Sequence, residues 1–259
     1  MPLRAVIKAG GSKGVSRDAV ADLVAEVART DEIVLVHGAS AETDRLANAL
    51  GVPQEQITSP SGHVSRRTDR QTLEIFAMAA LGVENFHYVE KLQQRGIDAL
   101  GLSGISGRLL VGKKKDVRSG REGKTMILRD DYTGTVEAVN LPLLTQFIGP
   151  GRVPVIAPLA LSTENEALNV DGDRVAARIA VAIDADALLI LTNVPGLLRD
   201  IHDPSSLVAE TTLAEAEQLA QGRMKKKILA AREALEAGVD EVVIRSATGD
   251  PAIRTVIRA

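Results

Sequence analysis

Two short glycine turns stand near the start of the chain. Lys8-Ala9-Gly10-Gly11 follows the apolar run Ala5-Val6-Ile7, and His37-Gly38-Ala39-Ser40 follows Ile33-Val34-Leu35-Val36. Both read as strand-to-loop junctions of small residues, where backbone N–H groups can approach an anion closely. Much later come Asn169-Val170-Asp171-Gly172-Asp173 and the basic run Gly222-Arg223-Met224-Lys225-Lys226-Lys227. Phosphoryl transfer needs a backbone cradle, cations to offset developing negative charge, and a carboxylate to place those cations. These segments hold all three.

Each piece also has a plainer reading. A lysine at a strand end can carry its ammonium to water along an apolar stem. Two glycine turns after successive strands weigh toward a ligand, because open α/β sheets bind at the carboxyl ends of their strands. Asp171 or Asp173 can cap the following helix, a contribution of about 1 kcal/mol. Three consecutive lysines cannot all face one site, so spacing alone does not choose among Lys225, Lys226 and Lys227. Residues 107–113 fit the start of G-x-x-x-x-G-K, but Lys114 follows where Ser or Thr is required, and the intervening residues read as strand. The calcium-loop spacing is missing after Asn169. The four histidines, His37, His63, His87 and His202, have no metal-ligand spacing, so no metal site is expected.

The elements that must position these groups alternate. Strands are expected at 6–7, 33–36, 99–102, 153–157, 188–191 and 242–245. Helices are expected at 16–29, 42–50, 72–81, 88–95, 136–147, 173–183, 213–221 and 224–237. Residues 108–111 and 125–128 read as the two arms of a β-hairpin around a charged segment. Alternation of this kind means an α/β fold with a mainly parallel sheet. Gly149-Pro150-Gly151 is a candidate lobe junction.

Composition supports that class. The 259 residues are 45% hydrophobic but only 2% aromatic, so the core must be Ala, Val, Leu and Ile. The absence of cysteine excludes disulfides, thiolate metal sites and cysteine nucleophiles. The net charge of −3 gives no reason to expect nucleic acid. No apolar run reaches membrane-spanning length, and Met1-Pro2-Leu3-Arg4 leads straight into a strand without a leader pattern. A cytoplasmic enzyme without membrane contact is the expectation. Within this mildly acidic chain, residues 113–129 hold seven cations (Lys113, Lys114, Lys115, Arg118, Arg121, Lys124 and Arg129) against Asp116 and Glu122. Such a segment is either a solvated tip or a docking site for an acidic partner.

Taken in order, the two glycine turns, Arg66 with Thr68-Asp69, Gly101-Leu102-Ser103-Gly104, Asn169 with Asp173, Leu191-Thr192-Asn193-Val194-Pro195-Gly196 and Met224 with Lys227 resemble the amino acid kinase family, within its acetylglutamate kinase branch. Ser40-Ala41-Glu42-Thr43, Val64-Ser65-Arg66, Gly112-Lys113-Lys114-Lys115, Asp131-Tyr132-Thr133-Gly134 and Glu164-Asn165-Glu166-Ala167 are similar to the kinases of that branch that act on carrier-linked aminoadipate in lysine biosynthesis.

The resemblance implies a three-layer αβα sandwich over residues 1–259. Its substrate and dimerisation lobe would span about 1–157 and its nucleotide lobe about 158–259. It implies ATP with Mg2+ held mainly through the phosphates, a side-chain carboxylate as acceptor and an acyl phosphate as product. The partner would be a small acidic amino-group carrier protein, and the assembly a homodimer, for which the apolar stretch 73–81 is a candidate surface. Lys8, Lys227 and Asp173 would be catalytic. Gly38, Ala39, Ser40, Arg66 and Asn169 would bind substrate. Gly10, Gly11, Thr192, Asn193, Gly196 and Met224 would bind nucleotide, and Lys113, Lys114 and Lys115 would dock the carrier.

Two positions depart from the family pattern. Ala39 replaces a glycine, which is tolerated where φ stays negative. Ile105-Ser106 stands where an acidic residue is common. Carrier-linked glutamate and N-acetylglutamate are the nearest alternative substrates. A non-catalytic amino-acid sensor would be expected to have lost a catalytic lysine or Asp173. A dinucleotide oxidoreductase lacks support because G-x-G-x-x-G is missing after the first strand.

Overall fold

The computed structural model describes residues 2–58, 64–116, 118–121 and 124–259. Of Thr58, Val64, Ser65, 118–121 and 124–127 it describes the backbone alone. The chain begins with β1 (Arg4–Ala9), α1 (Arg17–Val27), β2 (Glu32–His37) and α2 (Ser40–Ala49), followed by the short strands β3 (Gln56–Thr58) and β4 (Val64–Arg66). Next come α3 (Arg70–Ala77), a π-helical stretch (Met78–Asn85) and α4 (Phe86–Gln93). The middle of the chain holds β5 (Asp98–Ser103), β6 (Leu110–Lys114), β7 (Arg118–Arg121), β8 (Lys124–Ile127), β9 (Thr133–Val139) and the single turn α5 (Leu141–Leu144). The remainder is β10 (Arg152–Ala157), β11 (Leu159–Leu161), β12 (Ala167–Val170), α6 (Gly172–Ala182), β13 (Ala187–Thr192), β14 (Glu210–Thr212), α7 (Leu213–Leu219), α8 (Met224–Leu235), β15 (Glu241–Ser246) and β16 (Arg254–Arg258).

Eight strands form one sheet in the order β14-β16-β15-β13-β1-β2-β10-β5. From β15 to β5 the pairing is parallel, and β16 returns antiparallel against β15. The central strands are buried on both faces, which is why they are unbroken Val, Ile and Leu runs. On one face α6 and α8 pack through Val175, Ile179, Ile228 and Ala231. On the other, α1 and α4 pack through Val20, Val24, Tyr88 and Leu92. Helices on both sides of a parallel sheet make the three-layer αβα sandwich. Strands β11, β12, β9 and β6 close on themselves into a small second sheet.

Register sets the site. Lys8 lies beside Val36 on one side and Ile190 on the other, and Ala9 beside His37 and Leu191. The turns after β1, β2 and β13 therefore leave the sheet at the same level.

Several local expectations are corrected. Residues 108–111 and 125–128 do not pair with each other. β6 pairs antiparallel with β9, from Leu110 beside Val139 to Lys114 beside Gly134. The hairpin lies inside the charged segment, where β7 pairs with β8. The helix expected over 136–147 is a strand to Val139. Thr133, Thr135, Val136 and Val139 are β-branched and find partners in β6 and β12. A helical turn begins only at Leu141, where Asn140 accepts from the Leu143 N–H. The two helices expected at 72–81 and 88–95 are one continuous helical run, bridged by the π stretch. The strands β11, β12, β14 and β16 escaped the sequence reading, because three- to five-residue strands carry little periodicity.

Gly104 sits where β5 leaves the sheet. A Cβ there would stand 1.7 Å from the Leu159 carbonyl oxygen and 2.6 Å from Leu110 Cδ1. Backbone cannot give way as a flexible side chain can. Gly104→Ala is therefore expected to lower stability by about 1–3 kcal/mol, read as a fall in the urea midpoint at unchanged slope. An unchanged midpoint would contradict this packing.

Candidate active site

Lys8 is the next-to-last residue of β1 and is 6% exposed. Its ammonium is 2.7 Å from Oδ1 of Asp173. Lys227, one turn into α8, places Nζ 3.1 Å from the other oxygen, Oδ2. One buried carboxylate thus bridges two lysines that are 219 residues apart in sequence, by the difference of their numbers. Asp171, not Asp173, caps α6, accepting from the N–H groups of Asp173 and Arg174 at 3.0 and 3.3 Å. The cap frees Asp173 to face the lysines. Arg174 reaches Glu233 of α8 through two hydrogen bonds, of 3.1 and 2.5 Å, which clamp together the two helices that carry Asp173 and Lys227.

The electrostatics follow from burial. Burial alone would raise the Asp173 pKa, but Lys8 and Lys227 outweigh it and hold the carboxyl well below the usual range. Lys227 is pushed down, first by burial and then by Lys8, with Asp173 opposing. Two cations with one anion leave the cluster net positive, which suits an anionic ligand.

The glycine turns lie against each other. Gly11 O accepts from Ser40 Oγ and from the Ala41 N–H, both at 2.8 Å. A Cβ on Gly11 would stand 2.3 Å from Ala39 N, so only glycine allows this approach. The N–H groups of Gly11, Ala39 and Ser40 donate to no protein acceptor among the described residues. Ala39 has φ −142°, outside the left-handed region that favours glycine, so the family departure at this position is tolerated.

Arg66 donates to Asp44 Oδ1 at 2.6 Å and to Ser40 O at 3.3 Å, which ties it to the second glycine turn. Asn169 donates to Thr68 Oγ1 at 3.2 Å, and the buried Asp131 accepts from the Thr68 N–H at 3.0 Å. Thr192 is buried at the end of β13, and Asn193 donates to Lys13 O at 3.3 Å. Gly10 donates its N–H to Leu191 O at 2.9 Å. Gly196 packs on β16, where a Cβ would meet Thr255 Oγ1 at 2.5 Å. Met224 is partly buried at the start of α8.

The three lysines after Gly112 diverge. Lys113 is exposed, and Lys114 Nζ lies 4.2 Å from the centre of the Tyr132 ring. Lys115 is exposed as well, one residue beyond the end of β6, and its pKa is lowered by desolvation and by Arg174 and Lys226, with Asp171 and Glu233 opposing. Lys113 and Lys114, consecutive in β6, therefore point to opposite faces of the strand.

Three contacts were not foreseen from sequence. Arg223 donates to Ser12 Oγ at 3.2 Å, joining the first glycine turn to α8. Arg17 holds Glu84 through two bonds, of 2.9 and 2.8 Å. His37 meets Asn85. No residue spacing signals any of them, because each depends on elements that meet only in the folded chain.

Asp173 is the carboxylate between the lysines, and both of its oxygens are engaged. Among the described residues, no group of three or more His, Asp or Glu side chains could hold a metal ion.

The sandwich, the paired glycine turns and the lysine–aspartate–lysine bridge define a phosphotransferase. The amino acid kinase family profile matches residues 3–246, and the chain belongs to that family as an ATP-dependent kinase. It is 51% identical over 247 residues to the [LysW]-aminoadipate kinase of Deinococcus radiodurans, covering 93% of this chain and 85% of that one. It is 47% identical over 259 residues to the [LysW]-aminoadipate kinase of Thermus thermophilus, covering 97% and 96%. Among solved structures, smu.665 from Streptococcus mutans superposes with a TM-score of 0.79 at 25% identity, over 98% of each chain. Among the described residues, no helix is long and apolar enough to cross a membrane.

The buried groups make stability pH-dependent. His37 is fully buried, and desolvation lowers its pKa to about 4, against about 6.5 unfolded. Between those values the unfolded chain takes a proton that the folded chain refuses, so stability falls as pH drops, by about 3 kcal/mol at the lower end. Asp173 adds a further loss below about pH 4, where the unfolded carboxylate is protonated first. Urea unfolding of wild type and His37→Asn between pH 7 and pH 4.5 checks this. The wild-type curve should slope more steeply, and parallel curves would refute the assignment.

Proposed function

We propose that this kinase transfers the γ-phosphoryl of ATP to the side-chain carboxylate of α-aminoadipate, whose amino group is attached to a carrier protein, in lysine biosynthesis. The observation that carries the reaction is Asp173 bridging Lys8 and Lys227 at 2.7 and 3.1 Å beside the glycine turns. The substrate name comes from the two bacterial relatives.

A carboxylate nucleophile is ionised at neutral pH, so the reaction needs no general base. One carboxylate oxygen attacks phosphorus as the bond to the ADP oxygen breaks, and an acyl phosphate leaves. Negative charge on the transferring group is offset by Lys8 and Lys227, which Asp173 holds in place. The N–H groups of Gly11, Ala39 and Ser40, left without a protein acceptor among the described residues, complete the cradle. Of these turns, Gly10 and Gly11 face the nucleotide, and Gly38, Ala39 and Ser40 face the acid. Arg66 and Asn169 orient the acid. Thr192, Asn193, Gly196 and Met224 border the nucleotide. Magnesium carried by the phosphates would offset further charge there.

In this reading residues 1–157 form the substrate lobe and 158–259 the nucleotide lobe. A second copy pairs on the face of edge strand β5, where Met78, Phe86 and Leu100 are 48%, 56% and 37% exposed. The reaction belongs in the cytoplasm, where ATP is at hand. Carrier-linked glutamate differs by one methylene, worth about 1–3 kcal/mol of discrimination.

Hydroxylamine trapping of acyl phosphate tests the reading, with aminoadipate or glutamate on an acidic carrier and free N-acetylglutamate as acceptors. Turnover with carrier-linked aminoadipate is expected, falling about 10²–10³-fold in Lys8→Ala. Turnover confined to N-acetylglutamate would overturn the substrate assignment. The carrier role of the basic segment makes a separate prediction. Lys113→Glu with Lys114→Glu should raise KM for the carrier-bound acid several-fold at low salt, with kcat retained. An unchanged KM would remove those lysines from docking.

A further inference from the structure

His37 and Asn85 lie beneath the second glycine turn, and neither has a role in the reaction as drawn so far. His37 ends β2 with no exposed surface. Asn85 Nδ2 is 3.1 Å from His37 Nε2 and donates to Val155 O at 2.9 Å. A carbonyl only accepts, so the contact with Val155 fixes which end of the amide is Nδ2. The other end, Oδ1, faces Gly101, where a Cβ would stand 2.2 Å from it. With an amide donor at Nε2, the neutral imidazole carries its proton on Nδ1. That nitrogen lies 3.4 Å from Gly38 O.

The consequence reaches the site through one peptide. The Gly38–Ala39 amide is planar and trans, so directing the Gly38 carbonyl directs the Ala39 N–H the opposite way. That N–H is one of the donors left without a protein partner beside Gly11.

We infer that Asn85 and His37 are positioning residues, which hold the Nδ1-protonated tautomer of His37 so that its N–H aims the Gly38–Ala39 peptide of the anion cradle. This deepens the proposed kinase reading and rests on it for the identity of the anion.

The π stretch explains how Asn85 arrives. Each α-helical residue advances about 100°, and a π turn takes in an additional residue. Met78–Asn85 thereby faces Glu84 toward Arg17 and Asn85 toward β2 and β10. Both residues are buried, at 7% exposure each. Lys8 and Arg17 are the charges that face His37, and the Tyr88 ring packs 5.6 Å from the imidazole, centre to centre. Both cations disfavour imidazolium, consistent with a neutral ring that orients rather than transfers a proton.

The test pairs two isosteres. Asparagine at position 37 places an N–H near the Nδ1 position, and glutamine places one near Nε2. His37→Asn should keep kcat within about threefold of wild type. His37→Gln and Asn85→Leu should each lose about tenfold or more in kcat, with melting temperatures showing that they remain folded. A merely structural histidine would predict equal kcat in folded Asn and Gln variants, and that result would overturn the proposal. Long-range 1H–15N NMR of the wild type, without substrate, should report Nδ1-protonated imidazole, and an Nε2-protonated ring would also overturn it. Because the NMR readout needs no substrate, and the variants are compared on whichever acid the wild type phosphorylates, failure of this inference is distinct from failure of the aminoadipate assignment.

Discussion

The buried bridge from Lys8 through Asp173 to Lys227 is the interaction on which the rest of the molecule depends. A buried carboxylate and two buried ammonium groups are costly to desolvate, and their attraction offsets that cost only in good geometry. The fold supplies the geometry by rigid means. Lys8 is fixed by a central strand, Asp173 by a capped helix and Lys227 by a second helix clamped to the first through Arg174 and Glu233. The cluster retains one uncompensated positive charge. Stability given up in burying it becomes attraction for an incoming phosphate, which is how a preorganised site lowers the cost of charge moving during transfer.

The same edge of the sheet gathers everything else. Parallel strands end together, so turns that are distant in sequence open at one level. Glycine is essential where two turns touch: Gly11 has no room for a side chain against Ala39 N. It is dispensable across that contact, because Ala39 keeps a negative φ. The N–H groups left without a protein acceptor on these turns, at the start of α2 and beside it, suit an anionic ligand.

Charge outside the cluster is distributed with less purpose than its local density suggests. Lys114 rests on Tyr132, while Lys113 and Lys115 are exposed. A strand alternates its side chains across its two faces, so Lys113 and Lys114 cannot present one surface.

The sequence by itself determined the class of fold and the chemistry. Unbroken Val and Ile runs could only be buried parallel strands, and glycine turns directly after them marked the binding edge. Resemblance singled out Lys227, where three adjacent lysines left the choice open. Tertiary structure decided what spacing could not encode. Residues 136–139 became strand because β6 and β12 offered partners, a non-local energy that outweighs the helical reading. Asp171 took the cap and left Asp173 to the lysines, a choice between two carboxylates that differ only in where their neighbours lie. Asn85 reached His37 because a π turn rotated it there, and no periodicity of period 3.6 records that rotation. Composition and pattern report what each segment needs to bury. Which groups then meet across the sheet depends on register, crossover and helix phase, and these exist only once the chain has folded.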